Sequence, residues 1–209
     1  METQDPRPWL ERIELIGGLP CLDFINSVSD HAGPTPTERL LSYADLMSWS
    51  ERCALIGGSE RARFTALAHE DPRAAAAALK AVLRFREAAF RMFVAVAGEG
   101  LPADEDLAEV NRAVKKAQAE LELVPVAGHF HLAWRETGAG PEQILWRLAR
   151  AVVDLMTSDD LLTLRVCAGD ACGWLFLDKS RNHLRRWCSM SDCGNRAKAR
   201  EFYKRLRSA

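Results

Sequence analysis

Four cysteines near one end of this 209-residue chain have the types and the spacing to do chemistry. Cys167 and Cys172 form a C-x4-C pair, Cys188 and Cys193 form a second, and fifteen residues separate the two. Symmetric pairs of this kind point to thiolate ligation of a metal rather than to disulfides. The surroundings repeat as well. In CAGDACG (Cys167 to Gly173) and CSMSDCG (Cys188 to Gly194), small or polar residues and one Asp lie between the thiols, and Gly follows the second Cys. Such a segment bends into a knuckle whose backbone N–H groups point at sulfur, and glycine accepts the positive φ expected at Gly173 and Gly194. Four thiolates close a tetrahedral, structural site for one zinc ion per chain. A catalytic zinc would keep an open position and a His or carboxylate ligand, for which only His183 stands near.

Cations crowd these knuckles. Residues 165–209 carry 11 Lys or Arg against 4 Asp or Glu, whereas the first 164 residues hold 17 against 25, so a net charge of -1 hides an acidic body and a basic end. That sorting is the electrostatic footprint of a nucleic-acid contact confined to one end, although a solvated basic helix would carry the same charge. Between the knuckles, WLFLD, the turn-forming KSRN and HLRRWC read as a β-hairpin (Trp174 to Cys188). Beyond Cys193 the period becomes helical: Ala199, Phe202, Tyr203 and Leu206 make one stripe, and Arg196, Arg200, Lys204 and Arg207 another. The order of knuckle, hairpin, knuckle and helix resembles a treble-clef zinc finger. On that frame the residues expected to meet double-stranded DNA are Arg181, Asn182, Arg185 and Arg186 from the turn, and Asn195, Arg196, Lys198, Arg200 and Lys204 from the helix. Asn195 fits two roles, a base reader or the N-cap of the helix. Trp174, Phe176 and Trp187 also fit two: packing around zinc, or stacking on single-stranded bases.

About 45 residues cannot bury enough surface to offset chain entropy, whereas a structural zinc site supplies on the order of 10 kcal/mol. The segment 161–209 is therefore expected to depend on its metal, and 1–160 to form a separate body joined to it near Ser158 to Thr163. The body reads as mainly helical. Leu22, Ile25 and Val28 suggest a first helix after the Gly17–Gly18 turn, and Leu40 to Ile56 a second, capped near Thr37. Pro72 opens a long third helix through Ala97, Asp104 to Leu121 form a fourth with acidic residues at its positive end, and Pro141 starts a fifth to about Ser158. LELVPV and HFHLAW, joined by Ala127–Gly128, alternate as a small β-hairpin. Asp30 to Pro36, Gly98 to Pro102 and Glu136 to Gly140 are expected loops.

No stretch reaches the roughly 18 apolar residues of a membrane span, and Met1 to Pro8 lack the pattern of a leader, so a cytoplasmic protein without a membrane partner is expected. No Ser/His/Asp, Cys/His or phosphate-cradling Gly-rich pattern appears, which gives no reason to expect an enzyme. Cys21 and Cys53 read as small core residues. Asp23 and Asn26 on the first helix, with Arg84, Arg86, Glu87 and Arg91 on the third, could line a pocket for a small-molecule effector or serve as caps and ion pairs. His129 and His131 share a strand face but lack a third metal ligand.

The string from Cys172 to Arg207 resembles the bacterial zinc finger named for its Cys-Gly-Asn-Arg motif, here Cys193, Gly194, Asn195 and Arg196. In that family the finger follows an ABATE domain, and GGLPCLDFINSV (Gly17 to Val28), LLSYADLMSW (Leu40 to Trp49) and LRFREAAFRMF (Leu83 to Phe93) are similar to it in the expected order. Ile25 and Ser27 depart from the N-terminal pattern. The resemblance implies a stress-responsive transcription regulator: a sensory or dimerising helical body, with a homodimer as one arrangement, plus a zinc finger on DNA. Treble clefs also serve as protein-interaction or RNA-binding modules, so fold alone does not choose the partner.

Overall fold

The computed structural model describes Leu10 and residues 14–134 and 140–207. Its helices are α1 (Pro20–Ile25), α2 (Tyr43–Arg52), α3 (Gly58–Glu70), α4 (Pro72–Ala97), α5 (Asp104–Ala119), α6 (Gln143–Met156) and α7 (Asn195–Arg207). Three antiparallel two-stranded ribbons accompany them: β1 (Val28–Ser29) with β2 (Thr37–Glu38), β3 (Leu121–Val126) with β4 (His129–Trp134), and β5 (Leu164–Val166) with β6 (Leu175–Leu177). The chain is mainly α, with small ribbons and a cysteine cluster at its basic end, as the sequence implies.

Helix α4 is the axis of the body. Pro72 has no N–H to lose in the first turn, and the Asp71 carboxylate accepts from the Ala74 N–H at 2.9 Å. Val82, Phe85, Ala89, Met92 and Phe93 recur at helical spacing and are buried against α1, α2, α3, α5 and α6. The second helix starts later than Leu40, because Ser42 rather than Thr37 is the cap: its Oγ accepts from Asp45 N, while Thr37 pairs with Ser29 in the first ribbon. Val28 likewise leaves the first helix for β1. Helix α3 carries too faint an apolar stripe to be read from sequence, since Phe64 is its one buried side chain.

Ala127 and Gly128, at φ 48° and 84°, make the tight turn of β3 and β4 in the expected register, Val126 opposite His129. Only the base of this hairpin is half-buried, at Leu121, Ala133 and Trp134; further out, Leu123, Phe130 and Leu132 are exposed on one face and His129 and His131 on the other. Of the expected Glu136 to Gly140 loop, residues 136–139 lie outside the described residues, as do Met1 to Pro8.

The connection at 159–163 is a 3-10 turn rather than a free linker. It leads into β5 and β6, whose Leu164, Leu175 and Leu177 join the core of the body. Phe176, between the two leucines, points the opposite way into the cysteine cluster. Strand β6 is buried on both faces, so one three-residue strand belongs to two cores.

Candidate metal centre

All four cysteine sulfurs of the basic end lie within 4.8 Å of one another, and all four residues are buried. Cys188 Sγ stands 3.7 Å from both Cys172 Sγ and Cys193 Sγ. A disulfide requires about 2.05 Å. Ligands at about 2.3 Å around a tetrahedral zinc are about 3.8 Å apart, which is the spacing found.

Proton chemistry points the same way. The Cys172 and Cys188 thiols hydrogen-bond to Cys167 and pull its pKa down to about 2. The same interaction holds Cys172 up at about 12 and raises Cys188. Without a cation the cluster accommodates one thiolate and resists the next, whereas a divalent ion at its centre lets all four ionise. Backbone N–H groups of Gly169 and Cys188 donate to Cys167 Sγ at 3.4 and 3.2 Å, and the Arg196 guanidinium donates to Cys193 Sγ at 3.1 Å. These donors offset the charge that four thiolates leave beyond the ion's own. The residues fit one zinc ion held by Cys167, Cys172, Cys188 and Cys193, with no position left open for substrate.

The knuckles themselves depart from the expected form in two ways. Gly173 does take positive φ (69°), and a Cβ there would meet Ala32 N at 2.8 Å. Gly194 does not: it closes a π-helical turn, Met190–Gly194, and a Cβ there would meet Met190 Sδ at 2.5 Å, a contact that the flexible, exposed methionine can relieve by turning away. The expected hairpin is also displaced. Leu175–Leu177 pairs backwards with Leu164–Val166 around the first knuckle, and residues 183–188 form no strand. They are held by Asp178, fully buried, whose carboxylate accepts from the Ser180 N–H and hydroxyl and from the Arg185 N–H at 2.9 Å. Sequence reading missed this role, although the D-K-S triplet after an apolar run is an Asx-turn signature.

The expected DNA-facing residues divide into two groups. Arg185 is a structural residue: its guanidinium lies over the Phe176 ring at 4.4 Å and donates to the carbonyls of Trp187 and Cys188. Asn195 neither caps α7 nor stands free, since its Nδ2 donates to Ser191 O at 3.1 Å. Arg181, Asn182, Arg186, Lys198 and Lys204 are exposed. Arg196 pairs with Asp192, and Arg200 with Asp170 at 2.9 Å, both at the surface. Phe176 is buried, and Trp174 and Trp187 are half-buried against the cysteine cluster, with Trp174 Nε1 donating to Val28 O at 2.7 Å. Packing around the metal, not stacking on bases, occupies them.

Asp23 and Asn26 are both buried and committed to backbone. Asp23 accepts from Gly17 N at 2.8 Å. The Asn26 amide donates to Leu175 O and accepts from Leu175 N, each at 2.8 Å. Their polar atoms thus stitch the N-terminal segment and the finger to α1 and are not presented to a ligand. Burial pushes the Cys21 and Cys53 thiols up to about 12, as suits core residues. His129 and His131 gain no third ligand among the described residues, where the four cysteines form the one such cluster.

A helical body whose core runs into a four-thiolate module defines a zinc-finger protein. Residues 163–206 match the CGNR zinc finger, and residues 18–159 match the ABATE family model, described as "Putative stress-induced transcription regulator". The chain belongs to the ABATE family and carries its CGNR finger. No curated protein matches it. No helix among the described residues is long and apolar enough to cross a membrane.

Proposed function

We propose that this protein is a transcription regulator, not an enzyme, that binds duplex DNA through its zinc-ordered end. The observation that carries the reading is α7: all but one of its thirteen residues are exposed, none is buried, and Arg196, Arg200, Lys204 and Arg207 run along one side. Zinc holds the start of this helix through Cys193, and the 179–186 loop adds Arg181 and Arg186, both exposed. Exposed cations on a rigid frame contact phosphates without sequence preference, and Arg196 or Asn182 would have to enter a groove to read bases.

A second reading, a protein or single-stranded RNA partner, is favoured by one feature. Phe202, Tyr203 and Leu206 on the other side of α7 are 59%, 64% and 60% exposed, an apolar stripe that phosphates would not cover. The test is a salt titration of duplex DNA, single-stranded DNA and RNA side by side. Five phosphate contacts give a slope of log K against log salt of roughly -4 to -5 for duplex DNA. A flat response, or tighter binding to single strands than to duplex, overturns the DNA reading in favour of the second.

A further inference from the structure

Beyond its base the β3–β4 hairpin stands clear of the body: every residue from 122 to 132 is exposed, and among the described residues no backbone group from elsewhere bonds its outer edges. The tight turn fixes which groups those edges carry. With Ala127 and Gly128 both at positive φ, Val126 and His129 form a hydrogen-bonded pair, so Leu121, Leu123 and Pro125 turn their backbone groups outward on β3, and Phe130, Leu132 and Trp134 do so on β4. Pro125 has no N–H and interrupts the β3 edge. Strand β4, HFHLAW, holds no Pro, Lys, Asp or Glu, the devices by which edge strands refuse a further strand.

The outward residues are also the apolar ones. Leu121, Leu123 and Pro125 share one face of the hairpin with Phe130, Leu132 and Trp134. At the base this face rests on the body, where Trp134 Nε1 donates to Ala117 O at 3.0 Å. Leu121 and Trp134 there border a groove between α5 and α6 lined by Val114, Ala117, Ala149 and Val153. The groove holds about 30 Å3, far less than a ligand site of ~300 Å3 or more. Further out the same face overhangs, with Leu123, Phe130 and Leu132 69%, 70% and 64% exposed.

We propose that the hairpin is a homodimer interface in which the β4 strands of two copies pair edge to edge about a twofold axis at Leu132. Antiparallel pairing sets Leu132 opposite the partner's Leu132 and Phe130 opposite the partner's Trp134, and the outward N–H and C=O groups of β4 are then hydrogen-bonded. Residues opposite one another point to the same side, so the two apolar faces merge on one side of a four-stranded sheet. Phe130 of each copy, beside the partner's Trp134, then lies over the partner's α5–α6 groove. This selects a second copy as the occupant: a strand of an unrelated protein would satisfy the edge and leave the overhanging face bare. Pro125 keeps the outer β3 edges unpaired, so the assembly closes at two.

The area suffices. Leu123, Phe130 and Leu132 expose on the order of 350 Å2 per copy and would cover a comparable helical surface, so a pair buries roughly 1,200 Å2, above the ~1,000 Å2 of a specific interface. An interface at that end of the range dissociates at micromolar concentrations. The pairing involves no part of the finger, so it stands or falls apart from the DNA reading.

The test is sedimentation velocity of the zinc-loaded full chain over a concentration series, with circular dichroism of each variant. The unmodified chain should pass from monomer to dimer as concentration rises. Leu132→Lys sets two ammonium groups against each other at the axis and should raise the dissociation constant at least about tenfold, with helix content unchanged because Leu132 is exposed in the monomer. Val124→Lys, on the opposite face, should dimerise as before. A second measurement does not depend on those variants: a short bismaleimide should link Leu132→Cys chains in pairs and leave Leu123→Cys, on the interrupted β3 edge, unlinked. A chain that stays monomeric at about 100 µM, which would leave the face to a different partner, overturns the proposal. So does a dimer that survives Leu132→Lys, an equal loss in Val124→Lys, or linkage no greater in Leu132→Cys than in Leu123→Cys.

Discussion

Replacing Asn26 by alanine should loosen the metal centre although Asn26 touches no cysteine. Its side-chain amide satisfies both the N–H and the carbonyl of Leu175, and Asn26 and Leu175 are 2% and 0% exposed, so water cannot take over either bond. Each orphaned buried backbone group costs about 1–3 kcal/mol, which puts the loss of both at about 2–6 kcal/mol. At about 3 °C per kcal/mol for a chain of this size, the melting temperature should fall by about 6–18 °C. The assay is a thermal melt followed by two signals, far-ultraviolet circular dichroism for the body helices and a chromogenic chelator for released zinc. Leu175 lies between Cys172 and Phe176, so both signals should shift together. Asn26→Asp should cost at least as much, because a carboxylate still accepts from Leu175 N but cannot donate to Leu175 O. A loss below about 1 kcal/mol, or zinc release unchanged while the helices melt early, would refute the reasoning.

Purified protein should contain one zinc per chain, and Cys188→Ser should abolish retention and also lower the melting point of the body, because β6 serves both cores; metal analysis with circular dichroism checks this. Asp23 sits with its carboxyl pushed up to about 6 by burial, so its ionised form costs stability above that pH and the cost fades as pH falls towards 4. Asp23→Asn, which can still accept from Gly17, should therefore gain about 1–3 kcal/mol at pH 7.5 and nothing near pH 4. An equal gain in melting temperature at both pH values would contradict it. Arg185→Ala should lower stability and zinc retention, whereas Arg186→Ala, which loses only a guanidinium 5.3 Å above the Trp187 ring, should lower melting less and reduce the salt slope of DNA binding by about one. Paired melts and titrations of the two variants distinguish the roles.

The metal site was legible because thiol spacing is a chemical constraint that folding cannot hide. Long helices were legible for a related reason: α4 begins at Pro72 and ends at Ala97, just before Gly98, and its apolar period is sustained throughout. Three features were not legible, each because the deciding partner is remote in sequence. WLFLD pairs with Leu164–Val166 rather than with HLRRWC, since Asp178 turns the chain through side-chain bonds that leave no hydrophobic alternation. Arg185 reads as a surface cation until Phe176 and two carbonyls are placed beneath it. Asn26 reads as a polar strip on a helix until Leu175, 149 residues away, arrives opposite it.

The double burial of β6 bears on how the finger can act. Leu175 and Leu177 are fixed by the packing of the body, and Phe176 by the packing around the thiolates, so the strand cannot shift relative to one core without disturbing the other. Leu177 N also donates to Gly17 O, and Trp174 Nε1 to Val28 O, which adds two polar ties across the same seam. A finger anchored in this way presents α7 and the 179–186 loop at a fixed angle to the body. Any influence of the body on nucleic-acid contact must then pass through small displacements of the 28–33 loop and the first knuckle, not through a swinging linker. The exposed cations of α7 and the 179–186 loop lie beyond β6, on the part of the chain whose order depends most directly on zinc. Metal occupancy and the state of the body thus converge on one strand, and the surface proposed to meet DNA is the part that registers both.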